Sequence, residues 1–191
     1  MKTADDYDDL LQEISIVMYF IEDTIECIDK YYELYNIFEN HLDIINKAPS
    51  FFGQTLKSFR YKIIVSSLRF FDSDKGSSGF ERILNRAEQN KEYQSIIKDE
   101  VDSGRNLLQE ILPEIRTLRI DRDKYYAHID KKIILHPNDF SYEIIEFTEL
   151  KKILISIWNV LNQIMVKCGA MSADMISERR DFTKFILENK K

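Results

Sequence analysis

Apolar residues recur three and four positions apart along most of the chain. That is the period of an amphipathic helix, not the strict alternation of a half-buried strand. In the first part of the sequence, Leu10, Ile14, Val17, Ile21, Ile25, Ile28, Tyr32 and Tyr35 predict one long helix from near Tyr7 to near Asn46, ended by Pro49. Its early acids, Asp5, Asp6, Asp8 and Asp9, lie at the end where the helix dipole favours negative charge. A second helix is expected from Phe51 to about Phe71, apolar over a wide face through Phe52, Leu56, Phe59, Ile63 and Phe70. The stretch Asp72-Ser-Asp-Lys-Gly-Ser-Ser-Gly79 then reads as a loop, followed by a short helix from Phe80 to about Ala87.

Another helix starts between Tyr93 and Asn106 and leads into a seam, Leu108, Ile111, Ile115 and Leu118, that steps by three and four and reaches Tyr125 after seven more residues. Arg122 occupies the middle of that last step, four residues after Leu118 and three before Tyr125. Pro113 lies off the seam, either at a kink or in a first turn where its missing N–H costs little. Ile133-Ile-Leu135 and Tyr142-Glu-Ile-Ile145 form two short strands of a hairpin near 133–145, or extended loop around His136. Thr148 has the character of an N-cap for a long helix to about Cys168, striped by Ile153, Ile157, Val160, Leu161 and Ile164, with Gly169 at its C-terminal cap. A weaker pattern predicts a last helix over Ala173 to Glu188.

Composition sharpens this picture. Only 5 Gly and 3 Pro occur among 191 residues, against roughly 12% in ordinary soluble proteins. Sandwiches and barrels of many short strands need a turn every 8–12 residues or so, and this chain lacks the turn residues for them. The expected architecture is an all-α bundle of about five to six helices in one domain spanning residues 1–191. With 44% hydrophobic and 31% charged residues, the chain is neither disordered nor membrane-embedded, and no apolar run approaches the roughly 20 residues that a bilayer requires. The acidic opening MKTADDYDD differs from a signal peptide, and Cys27 and Cys168 give neither a disulfide framework nor metal-ligand spacing. Together these predict a cytoplasmic protein with no membrane partner. No Gly-rich phosphate loop and no zinc signature occurs, so no cofactor and no metal is expected.

The net charge of -6 excludes a protein that coats nucleic acid through bulk charge, but not one small basic site. Charge is locally reversed from Glu114 to Lys132, with six basic and four acidic residues. A charged residue on an apolar seam is costly unless it is paired or exposed for a purpose. Arg122 either pairs with a nearby acid, lays its stem along the core with its head in water, or serves chemistry. His128 follows six residues later, among Arg, Lys and Tyr. It is one of three histidines; His41, on the first helix, reads as surface and His136 as loop. Six residues of unbroken helix place Arg122 and His128 on different faces, so they converge only if the helix ends near Ala127 or a second subunit brings its own copy. Alone, His128 at a helix end is also a plain dipole-capping cation.

The segment Arg122-Asp-Lys-Tyr-Tyr-Ala-His128 resembles the Arg–polar–spacer–His signature of the HEPN superfamily of small all-helical proteins. The wider phrase from Leu118 to Asp130, Leu-Arg-x-x-Arg-Asp-Lys-x-Tyr-Ala-His-x-Asp, is similar to the AbiU-like abortive-infection branch, as is Ser67-Leu-Arg-Phe-Phe-Asp72. The resemblance implies a HEPN-like bundle working as a homodimer, with an RNA substrate, a possible cognate antitoxin, and a metal-independent endoribonuclease activity in phage defence or as a toxin. The Arg–His motifs of two protomers would meet in one composite cleft. By that analogy Arg122 binds the scissile phosphate and stabilises its developing charge. His128, with an unperturbed pKa of roughly 6.5, acts as general acid or base. Asp123 orients either of them, and Arg119, Lys124 and Arg116 supply phosphate contacts. Toxins whose partner is a minimal nucleotidyltransferase often carry a Tyr two residues after the His; here that position is Asp130, so this form of regulation is not expected. The alternative function is a non-catalytic helical module with the same dimer, binding a protein, a nucleotide or RNA.

Overall fold

The computed structural model describes residues 4–71, 79–91, 93–123 and 145–169. Among the described residues it is all-helical, with seven helices and no strand. The expected hairpin at 133–145 and the helix at 173–188 lie outside the described residues, apart from Ile145, which is buried just ahead of the last described helix.

The longest element, α1 (Ala4–Asn40), has no Gly or Pro to interrupt it. At 1.5 Å per residue its 37 residues span about 55 Å. Leu10, Ile14, Val17, Ile21, Ile25 and Ile28 are buried along its length. The helix expected over 7–46 breaks at His41, whose backbone leaves the helical region at φ -135°, ψ 56°. Its carbonyl accepts the amides of Ile44 at 3.0 Å and Ile45 at 3.2 Å, starting the single turn α2 (Leu42–Ile45). The reason is burial: the turn tucks Ile44 and Ile45 against Leu34, Ile37 and Phe52 in a small core of their own. His41 is therefore half-buried at a corner rather than on a helix surface. Pro49 does not close the preceding segment. It opens α3 (Pro49–Phe70), where its missing N–H is one of the helix-start donors that have no partner anyway.

The second half is shorter-limbed: α4 (Phe80–Gln89), α5 (Lys98–Glu110) and α6 (Leu112–Asp121). The seam splits at Ile111, which ends α5 and precedes α6, and Pro113 stands in the first turn of α6 rather than at a mid-helix kink. This break and the one at His41 explain why seven helices occur among the described residues where five to six are expected for the whole chain. The last described helix, α7 (Phe147–Lys167), has Glu146 and not Thr148 at its N-cap position, with no side-chain capping bond. The Thr148 amide instead donates to the Tyr32 hydroxyl at 3.2 Å, binding the helix start to α1. Gly169, at φ +85°, provides the left-handed residue that follows the helix end.

The long helix α1 is the central mast, packed against α3, α7 and α4, while α5 lies on α7 and α4 and α6 lies on α3. Polar clips join these layers. Trp158 Nε1 donates to Glu22 at 2.9 Å, Lys62 pairs with Asp23 at 3.0 Å, and Glu13 receives Arg82 and Arg86. None of the described helices is long and apolar enough to cross a membrane.

Candidate active site

The site grows from the contact between α3 and α6. The apolar seam of α6 buries Ile111, Ile115 and Leu118 as expected, but its next buried member is Asp121, only 1% exposed. Arg122 stands on the shoulder beside the seam, with its side chain 42% exposed. A three-residue step from Leu118 thus replaces the four-residue step that the pattern suggests. The buried carboxylate of Asp121 meets Arg60 of α3 at 3.3 Å. Burial pushes the Asp121 carboxyl above its usual range, and the Arg60 guanidinium pulls it partly back.

A second polar tie runs parallel. Arg119 Nη2 donates to the carbonyl of Phe71, the residue that ends α3, at 3.1 Å. A cation at a helix C-terminus satisfies an orphan carbonyl and the dipole together. The two family-like segments, the one beginning at Ser67 and the one beginning at Leu118, are therefore joined in space. Arg119 has this structural duty alongside any contact with phosphate.

Beyond Asp121 the chain widens into a π-type turn through Arg122 and Asp123. Arg122 Nε donates to Asp123 Oδ1 at 2.7 Å, and the Asp123 side chain is 53% exposed. The pair is solvent-facing, so its worth to stability is small. Its worth is orientation: the bond engages Nε, not the terminal nitrogens that grip a phosphate bidentately. Arg116 lies two turns earlier on α6 and is exposed. Of the site residues expected from sequence, the structure brings Arg122 and Asp123 together and places Arg119 and Arg116 on the same helix. His128 and Lys124 lie outside the described residues.

Sequence reasoning missed Asp121 and Arg60. An acid three residues after Leu118 on the same stripe is a usable signal for the first, whereas its partner lies 61 residues away and has no local signature. Arg60→Ala is expected to destabilise the fold by about 1–3 kcal/mol at pH 7, since it leaves a buried carboxylate without this cation. For a carboxyl whose folded pKa is raised, the penalty applies while it is ionised. The deficit of Arg60→Ala should thus narrow as pH falls and Asp121, whose carboxyl is raised in the folded chain, becomes protonated. Urea melts at several pH values check this; a deficit independent of pH would mean that Asp121 is not its source.

A family model, HEPN AbiU2, described as AbiU2, matches residues 5–185, and the chain belongs to that family. No curated protein and no solved structure matches it.

Proposed function

We propose that this protein is a metal-independent endoribonuclease of the HEPN type, serving phage defence or acting as a toxin, with its site shared between two protomers of a homodimer. The observation that carries the reading is the exposed Arg122, oriented by Asp123 at 2.7 Å and followed by His128 in the family phrase. In this mechanism the terminal nitrogens of Arg122 take the scissile phosphate and hold the charge that builds there. The 2′-hydroxyl attacks phosphorus and the 5′-oxygen leaves. His128 removes the hydroxyl proton or delivers one to the departing oxygen, and its counterpart from the second protomer takes the other task. DNA has no 2′-hydroxyl, so only RNA is cut. Arg116 supplies a further phosphate contact, as does Lys124 by its place in the sequence, and the acidic remainder of the chain keeps binding local.

Purified protein in EDTA is expected to cleave single-stranded RNA and to leave DNA of the same sequence intact. Arg122→Ala should lower the rate about 10²–10³-fold, the usual effect of removing one donor to a developing oxyanion. RNA left intact by the wild type, or cut equally well by Arg122→Ala, sinks the proposal in favour of a non-catalytic module.

A further inference from the structure

A cleft of about 290 Å³ opens between the C-terminal part of α1 and the start of α7, lined by Tyr31, Tyr32, Tyr35, Arg60, Glu146 and Phe147. Its walls are aromatic. Tyr31 and Tyr35 stack with centroids 6.2 Å apart at 22°, and Tyr31 meets Phe147 edge-on at 5.0 Å. The Arg60 guanidinium lies 5.7 Å from the centre of the Phe147 ring. Arg60 is also the residue that reaches Asp121, the neighbour of Arg122 in the chain. One guanidinium thus touches both the wall of the cleft and the root of the candidate active site.

We propose that this cleft binds one unpaired nucleobase of the RNA that lies across Arg122. The inference deepens the nuclease reading and rests on it for the choice of RNA. Its volume sits at the lower edge of the roughly 300–1,000 Å³ of small-molecule sites, which suits a single base. Flat aromatic faces and a guanidinium plane are what unpaired bases stack on. The charge at the rim chooses between base and phosphate. Glu146 lines the cleft opposite in charge to Arg60, whose guanidinium already meets Asp121, so no surplus positive charge is left to hold a phosphate and a neutral base is not opposed. The sugar–phosphate backbone is left to the basic shoulder of α6. Tyr35, 43% exposed, is the most open of the lining aromatics, since Tyr31 and Tyr32 are half-buried and Phe147 is buried.

The test uses a single-stranded RNA oligomer made uncleavable by 2′-O-methylation, with binding read by fluorescence anisotropy and cleavage of unmodified RNA read separately. Tyr35→Ala is expected to weaken binding about 5- to 150-fold, the range for losing one base–aromatic stack, while Tyr35→Phe binds as the wild type does. On an abasic oligomer of equal length the Tyr35→Ala defect should vanish, which separates a lost stack from a damaged fold. Equal binding by wild type and Tyr35→Ala overturns the cleft, as does a defect that persists on the abasic oligomer or a wild type that binds neither. Cleavage that survives while the cleft fails leaves the nuclease reading standing. Base-dependent binding without cleavage keeps the cleft and removes the nuclease.

Discussion

Replacing His128 with alanine should slow RNA cleavage about 10²–10⁴-fold, the range for losing a positioned general acid or base. The loss should fall on turnover and leave affinity for an uncleavable RNA nearly unchanged, since the proposed mechanism gives the phosphate contacts to Arg122 and its basic neighbours. With one imidazole acting as base and another as acid, the wild-type rate should pass through a maximum near neutral pH, flanked by apparent values that belong to the pair. His128→Ala should lose that bell shape. If two protomers share the site, an excess of the variant that exchanges subunits with wild type should depress activity beyond simple dilution. Cleavage by His128→Ala at the wild-type rate would remove this residue from the chemistry, whatever the fate of Arg122.

The largest expected effect on stability lies elsewhere. Phe80 opens α4, is 0% exposed, and heads the fully buried side chains by volume. It sits where α4 crosses α5, and the crossing is close. A Cβ added at Gly104 would lie 2.8 Å from Leu84 Cδ2 and 3.3 Å from Phe80 Cζ. Phe80→Ala would leave a ring-sized void between helices that cannot slide together without disturbing α1 and α7. A cost of about 3–5 kcal/mol is expected, read as a fall of roughly 6–20 °C in Tm for a chain of this length. Phe80→Leu, which refills most of the space, should recover most of it. A loss under about 1 kcal/mol for Phe80→Ala would show that the neighbours collapse freely and that α4 does not seal the core.

What the sequence reveals here is uneven, for physical reasons. The period of three and four, sustained from Leu10 to Ile28 and again from Ile153 to Ile164, identifies α1 and α7 because burial on one face of a long helix repeats many times. Corners are harder to read. The break at His41 depends on where Ile44 and Ile45 can be buried, and their partners Leu34 and Phe52 belong to other turns of the chain. Pro49 and Pro113 are seen to limit helices, but the residue alone does not tell an end from a beginning. Arg122 and Asp123 are legible from the motif and are adjacent in space. The identity of the buried charge is not: steps of three and four fit the seam equally well until Arg60 arrives from α3 to pair with Asp121.

The position of α1 at the centre of the bundle also sets an order in time. Its contacts with α7 join residues far apart in the chain, from Tyr32 with Thr148, 116 residues apart, to Glu22 with Trp158, 136 apart. On a ribosome adding about 5–20 residues per second, the apolar stripe of α1 waits roughly 6–27 s before its cover is synthesised. The segment from Arg122 to His128 emerges within that interval, ahead of the helix that completes the mast. The nascent protein thus carries Arg122 with α3 already made to receive α6, while completion of the bundle around α1 waits for α7.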